Sequence, residues 1–328
     1  MIEIDGKEGG GQIVRTAVAM SALTSKSVKI TNIRGARPKP GLKTQHMQGI
    51  DAVGKLCGAE IKGLSIGSQE LEFIPGELTE RDLTVVIPTA GAIGLVLQAL
   101  MIPTTNLKKP IKIEIKGGGT WNKWAPPVIY FEKVLFPILG EESEINIIRN
   151  GFYPKGGAQV TVIAKPWAQK HIEIIDKGKV KEIKGSSIAA EILQKRNVAE
   201  RQSEAAKKII SNAKIENEYV EAFNPGSGIL LWAECGNSIL SGDAIGEQGK
   251  TAENVGKEAA DNLKFDLENG AVDFHTADML LPYMALAGSG KIKTSKITNH
   301  IKTNVGVIEK FLDVKFKINE EEKLILLS

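Results

Sequence analysis

The sequence predicts a mixed α/β (α+β) fold in which one unit occurs three times in pseudo-threefold arrangement, with a smaller α+β domain inserted in the third copy. Three observations lead there. Segments with a strand period of two and a helix period of about 3.6 follow one another as helix, strand, helix, strand, strand, and that order occurs three times. A leading strand precedes it in the first two copies. Residues 179–270 break the rhythm, which divides the chain into a repeated body, 1–178 with 271–328, and an inserted small domain, 179–270.

In the first copy, Met1–Asp5 alternates as a strand and Ile13–Leu23 has the apolar density of a helix. The glycine-rich stretch Gly6 to Gln12 between them lets backbone N–H groups approach a phosphate, although most such stretches only turn the chain. Glu8 within it suits either a divalent metal beside a phosphate or a solvated loop charge. A strand at Val28–Ile33 runs into Arg34, Arg37, Lys39 and Lys43, cations on a loop stiffened by Pro38 and Pro40. Guanidinium forks match phosphate oxygens, and a plain solvated basic loop is the alternative. The helix Thr44 to Leu56 carries Gln45, His46 and Gln48 in its first turns, and short strands at 59–62 and 71–74 close the copy.

The second copy has a strand at Leu83–Ile87, a small-residue turn at Thr89–Ala92, and a helix at Ile93–Met101 with Gln98 among apolar neighbours. A strand at Ile111–Ile115 leads to the glycine loop Gly117–Thr120, trailed by Trp121 and Trp124. A helix at Val128–Leu139 and strands at 144–149 and 158–164 complete it, the last two joined by the segment Gly151–Gly157. The insert shows a strand from Lys181, a charged helix over 196–213, strands at 218–223 and 229–234 and a helix at 252–267, with no chemical constellation. The third copy has a helix at His275–Leu286, a strand at 291–297, a helix at 304–312 capped by Thr303 or Asn304, and strands at 314–318 and 323–327. His300 falls in the polar loop before that helix, where phosphate is favoured, and a surface loop histidine is the plain alternative. Repetition predicts that loops 6–12, 34–43, 88–92, 117–127, 275–279 and 298–303 gather at one place.

The totals exclude several classes. A net charge of +3 over 328 residues does not announce a nucleic-acid track, so an anionic partner must meet a local cluster. Cys57 and Cys235 lie far apart without metal-ligand spacing, which fits buried thiols in a reducing compartment. The longest apolar stretch, Ala90 to Ile102, is too short for a membrane span. A cytoplasmic protein without a membrane partner is the expectation.

Several segments together resemble the RNA 3′-terminal phosphate cyclase family. They are Glu8 to Arg15, Ile33 to Leu42, Gly151 to Gly157, His275 to Met279, Pro282 to Gly288, and His300 with Thr303 and Asn304, in the family's order along the whole chain. The resemblance implies three βαβαββ repeats with an inserted domain, and a ligase that uses ATP and a divalent metal (Mg or Mn) on RNA with a 3′-terminal phosphate. It implies nucleotidyl transfer, in which a histidine takes AMP from ATP and passes it to the RNA 3′-phosphate. The adjacent 2′-hydroxyl then closes a 2′,3′-cyclic phosphate. By the same resemblance His300 is the nucleotidylated residue and Glu8 the metal carboxylate. Arg15, Arg34 and Arg37 neutralise phosphates. Gln98, His275, Thr276, Ala277, Asp278 and Met279 contact the nucleotide, with Gln45 close by. A homodimer is compatible with the family.

The chain departs from the family pattern at Met279, where Gln is usual, at Gly35-Ala36, where the order is usually reversed, and in a shorter opening before Glu8. A cyclase-like ribosome-biogenesis factor shares the fold but lacks the histidine, and an enolpyruvyl-type transferase shares related repeats without needing it. His300, Glu8 and both loop arginines favour the enzyme. The near-neutral charge predicts RNA affinity of shallow salt dependence, focused on the terminal phosphate.

Overall fold

The computed structural model describes residues 1–327. The first copy runs β1 (Ile2–Asp5), α1 (Gly11–Thr24), β2 (Val28–Thr31), α2 (Thr44–Cys57), β3 (Glu60–Lys62) and β4 (Leu71–Ile74). The second runs β5 (Leu83–Ala92), α3 (Ile93–Thr104), β6 (Ile111–Gly119), a π-helical turn Phe131–Leu135 that continues as α4 (Phe136–Leu139), then β7 (Glu144–Arg149) and β8 (Gln159–Ala164). A short β9 (Ile172–Ile174) follows. Next come β10 (Val180–Ala190), α5 (Val198–Lys207), β11 (Lys214–Val220), β12 (Ser227–Cys235), β13 (Ile239–Ile245) and α6 (Ala252–Asn269). The chain ends with α7 (Phe274–Ala287), β14 (Gly290–Lys293), α8 (Asn299–Phe311), β15 (Phe316–Asn319) and β16 (Leu324–Leu327).

Three of the sheets share one topology. Their orders are β1-β2-β4-β3, β5-β6-β8-β7 and β9-β14-β16-β15. In each, the leading strand pairs in parallel with the second, as in Ile2 with Val28, Leu83 with Ile113 and Ile172 with Gly290. A parallel pair needs a crossover, and α1, α3 and α7 lie between the paired strands in sequence. The third leading strand, β9, was not expected from the sequence. Only three residues long, it lies on the far side of the fourth sheet in sequence, so no periodicity marks it.

That fourth sheet, β11-β10-β12-β13, carries its own apolar cluster with α5 and α6, including Leu231, Leu240, Val255 and Leu263. Its strand β13 was not expected from the sequence either. The larger cluster runs from Ile4 to Leu327 and surrounds α1, which is buried on every side from Gln12 to Leu23. Several expected boundaries also differ, three of them at loops expected to gather at one place. Thr89–Ala92 extends β5, and Gly117–Gly119 extends β6 rather than forming a loop. At Gly117 the backbone takes φ +87° against the Ile87 carbonyl, a close approach that only glycine permits. The third correction concerns α8, which starts at Asn299. Its cap is Thr298, whose hydroxyl accepts from the Ile301 N–H at 3.2 Å, so His300 lies in the first helical turn.

Asp273 ties α7 to the fourth sheet. Its carboxylate accepts from the Thr276 N–H at 2.7 Å, from the Tyr130 hydroxyl at 3.0 Å and from the Ser241 N–H at 3.2 Å. Asp266 is 3% exposed with one oxygen unpartnered, as is the buried Ser295 hydroxyl. Burial, then the charge of Asp273, pushes the Asp266 carboxyl upward. Burial, then Asp273 and Glu258, pushes Asp243 up to about 7, with Lys250 opposing. Both groups hold a proton more tightly folded than unfolded, where an aspartate titrates near 3.8. Their stabilising contribution is therefore whole below about pH 4 and is lost progressively as the pH rises through about 7 for Asp243 and about 8 for Asp266. Asp266→Asn, which cannot ionise, is expected to melt a few degrees above wild type at pH 8.5 and near it at about pH 4, read by thermal unfolding. Equal gaps at the two pH values would contradict this.

Candidate active site

Four helices from the three copies converge on one cleft. Gln12, Arg15 and Thr16 of α1 face Gln98 of α3, Asp278 and Met279 of α7, and Asn304 of α8, over an apolar floor that includes Phe131. The polar groups form a linked set. Arg15 Nη2 donates to Gln98 Oε1 at 3.3 Å. Asn304 Nδ2 donates to Asp278 Oδ1 at 2.6 Å, and Thr16 Oγ1 donates to Asn304 Oδ1 at 2.8 Å. Gln12 Nε2 donates to Thr303 Oγ1 at 3.0 Å, and that hydroxyl donates to the Asn299 carbonyl at 2.8 Å. Such links hold side chains in fixed rotamers, which positions a reacting group.

His300 stands at the rim, 53% exposed, with Nδ1 3.9 Å from Asp278 Oδ2. That separation is an ion-pair distance rather than a hydrogen bond, and it leaves Nε2 unengaged by the carboxylate. Desolvation first, then the charges of Arg15, His275 and Arg37, holds the imidazole below its ordinary range. The ring is therefore neutral at pH 7 and its lone pair is available. Burial pushes Asp278 up to about 6, opposed by its hydrogen bond from Asn304 and the charge of Arg15. Burial brings Arg15 down to about 10, opposed by Asp278, so it remains a cation in the cleft.

The remaining expected residues fall into two groups. His275 follows the Asp273 cap, tilted against Phe274 at 4.1 Å between ring centroids. Burial holds its imidazole below the ordinary range, against the charge of Asp273. Thr276 is buried, its hydroxyl 2.6 Å from the Tyr130 hydroxyl, and Ala277 is fully buried, so these two shape the helix end rather than face the cleft. Met279 is 8% exposed on the cleft wall. Arg34 is buried at φ +55° and donates through Nη1 to the carbonyls of Lys39 at 2.8 Å and Gly41 at 2.9 Å, which closes the basic loop on itself. Arg37 is exposed, with Nη2 beside Gly10, where loops 6–12 and 34–43 meet. Gln45 is half-buried in the first turn of α2, and Glu8 is exposed in the loop before α1. Among the described residues, no group of three or more His, Cys, Asp or Glu side chains is placed to hold a metal ion.

Sequence reasoning gave no site role to Gln12 or Thr16, and took Asn304 only as a candidate cap and part of a family segment. The signal was present in part: Gln12 and Thr16 stand four apart on a helix that is otherwise almost wholly apolar, with Arg15 between them. His46 was noted only as a polar neighbour. It is 3% exposed, its Nδ1 accepts from the Lys43 N–H at 3.2 Å, and its Nε2 abuts Gly11, where any Cβ would overlap it. Burial, then the charges of Arg15, Arg34 and Lys43, brings it down to about 3, so it is a neutral wedge between α1 and α2.

A protein-family model described as RNA 3′-terminal phosphate cyclase matches residues 6–318. A protein of Methanosarcina barkeri named RNA 3′-terminal phosphate cyclase is 43% identical over 338 residues, covering 100% of this chain and 99% of its own. Proteins with that name from Pyrococcus abyssi and Thermococcus kodakarensis are each 44% identical over 332 residues, covering 98% of this chain and 96% and 95% of theirs. With nearly the whole chain matched and a cleft assembled from all three copies, this protein belongs to the RNA 3′-terminal phosphate cyclase family.

Proposed function

We propose that the protein is an ATP-dependent RNA 3′-phosphate cyclase with His300 as its nucleophile. The observation that carries this is a neutral imidazole facing a carboxylate at the rim of a cleft that holds a buried cation, Arg15. Closing the 3.9 Å gap would let Asp278 hold the proton on Nδ1 and leave the Nε2 lone pair to attack the α-phosphorus of ATP. The bond to the β-phosphate breaks and pyrophosphate leaves. AMP then passes from Nε2 to an oxygen of the RNA 3′-phosphate. The terminal 2′-hydroxyl attacks that phosphorus, loses its proton and expels AMP, leaving the 2′,3′-cyclic phosphate. The covalent step replaces one difficult displacement with easier ones, and the last step is intramolecular. It also demands a ribose at the terminus. Arg15 and Arg37 stabilise the developing phosphate charge. Glu8 would hold a divalent cation together with phosphate oxygens, since magnesium is often held by one or two carboxylates plus substrate phosphates. Such an ion would neutralise charge on the triphosphate. We place the body that does this at 1–178 with 271–328, and the protein in the cytoplasm, where its two free buried cysteines are at home.

The test is to incubate the protein with ATP, a divalent cation and an RNA ending in a 3′-phosphate. The expected result is one AMP and one pyrophosphate released per end that becomes phosphatase-resistant. Bound ATP without pyrophosphate release would move the protein to the class of non-catalytic binding factors. A pH profile adds a check. Below about pH 6 the raised Asp278 carboxyl is protonated and no longer holds the imidazole proton, so self-adenylation rises through about pH 6 and then levels. Asp278→Asn is expected to flatten that limb; an unchanged limb would remove Asp278 from this role.

A further inference from the structure

We propose that the exposed aromatics Trp124, Tyr153 and Phe223 form a stacking platform for the nucleotides that precede the terminal one. The inference rests on the RNA 3′-phosphate function above and adds the place where the strand lies. These three rings are 70%, 79% and 52% exposed, and they belong to loops that contact one another in series. The Trp124 N–H donates to Asn122, and Asn122 donates to the Ala90 carbonyl at 2.8 Å. Gly156 abuts Ala90, and Asn224 donates to the Tyr153 carbonyl at 2.8 Å. Gly157 packs on the Phe223 ring.

Each of the first two loops pairs an inward aromatic with an outward one. Trp121 is 2% exposed and packs on Gly228, while Trp124 points out. Phe152 is 4% exposed and packs on Gly226, while Tyr153 points out. The inner rings anchor the loops, so the outer rings are held ready rather than collapsed onto the surface. Cations accompany them. The Arg149 guanidinium lies 4.2 Å from the Phe223 centroid, and Lys123 Nζ lies 6.0 Å from that of Trp124 while pairing with Glu247. Lys155, beside Tyr153, is exposed. Rings interleaved with cations suit the π-faces and phosphates of single-stranded RNA better than they suit an apolar partner.

The platform is continuous with the cleft. Ala125 packs with Ala92 and Leu95, and Pro126 abuts Gly94, all at the start of α3. Gln98, the partner of Arg15, follows Gly94 by about one helical turn, roughly 6 Å along the axis. A strand whose terminal phosphate reaches Arg15 can therefore lay its preceding bases over these rings. Stacking is sequence-tolerant and needs few phosphate contacts, which agrees with a net charge of only +3.

The test compares wild type with Trp124→Ala/Tyr153→Ala and with the stacking-competent Trp124→Phe/Tyr153→Phe. Binding of a labelled decamer RNA 3′-phosphate without ATP is read by fluorescence anisotropy, and cyclisation is read with the decamer and with a dinucleotide 3′-phosphate. The alanine variant is expected to weaken decamer binding and raise its KM by about tenfold or more. It should leave the dinucleotide KM and self-adenylation with ATP unchanged, and the Phe variant should behave as wild type. Decamer affinity equal to wild type, or equal losses on decamer and dinucleotide, would overturn the platform. So would loss of a wild-type dimer in the variant with RNA binding intact, which would make the patch a contact between copies. Failure of wild type to adenylate or cyclise would instead strike the parent function, and the anisotropy comparison would still decide the platform.

Discussion

His300→Ala, incubated with α-labelled ATP and a divalent cation, is expected to carry no acid-labile label, while wild type becomes labelled without RNA. Cyclisation should fall by roughly 10⁴-fold or more, the scale on which loss of a covalent nucleophile acts. The residue stands half-exposed at the helix start and its imidazole makes no hydrogen bond that holds the fold, its backbone carbonyl alone accepting from Thr303, so unfolding free energy should change by no more than about 0.5 kcal/mol. A large catalytic loss with an unmoved melting curve is what separates a reacting group from a structural one. Label on both proteins would assign the nucleophile elsewhere. Label on neither, with ATP still bound, would leave a binding protein that keeps the histidine without using it.

Arg15→Ala should have the second-largest effect. Arg15 is 8% exposed on a helix buried on every side, and among the described residues its guanidinium hydrogen-bonds to the neutral Gln98 amide alone. Its charge is therefore not consumed in a close ion pair, and the proposed reaction puts it opposite the phosphate. Removing it takes a cation from the site of developing phosphate charge, and self-adenylation should fall about 100-fold or more. It should also raise the Asp278 carboxyl further, because the charge that opposes burial is gone. The acid limb of the adenylation profile would then move above about pH 6, a shift that simple loss of ATP affinity does not produce. Arg15→Lys is expected to restore the limb more fully than the rate, since an ammonium supplies charge without the planar fork. An unchanged limb in Arg15→Ala would show that Arg15 and Asp278 do not couple.

Much of this arrangement was legible before any coordinates. Apart from β9 and β13, the order of helices and strands emerged from apolar period, because strands such as β5 and β8 alternate buried with more exposed residues. Where the sequence misled, the cause was local. The β-branched run at 291–297 has strand character throughout, yet β14 ends at Lys293 because Thr294 and Ser295 turn inward, fully buried beside Val272. Thr298 carried a cap signal that the longer strand concealed. Glycines 117–119 were expected to loop, but extended backbone with positive φ is also open to them. At the cleft, Gln98 looked like a satisfied core amide. It is satisfied, but by Arg15, 83 residues away, and no periodicity encodes a contact of that range. Arg34 shows a second use the sequence did not reveal: a guanidinium in a basic loop invites a phosphate, and here its Nη1 also closes its own loop.

The three crossover helices hold one further consequence. Arg15 lies four residues into α1, Gln98 five into α3 and Asp278 four into α7, so a cation, an amide and a carboxyl occupy near-equivalent places in three copies of one unit. Three identical copies would offer a ligand three equal ways to lie. Unlike side chains at matched places abolish that degeneracy and impose a sense of direction: in the proposed reaction the anionic end of the bound molecule lies toward Arg15, and His300 stands on the side of Asp278. Divergence among the copies, more than the repetition itself, is what gives this cleft a front and a back.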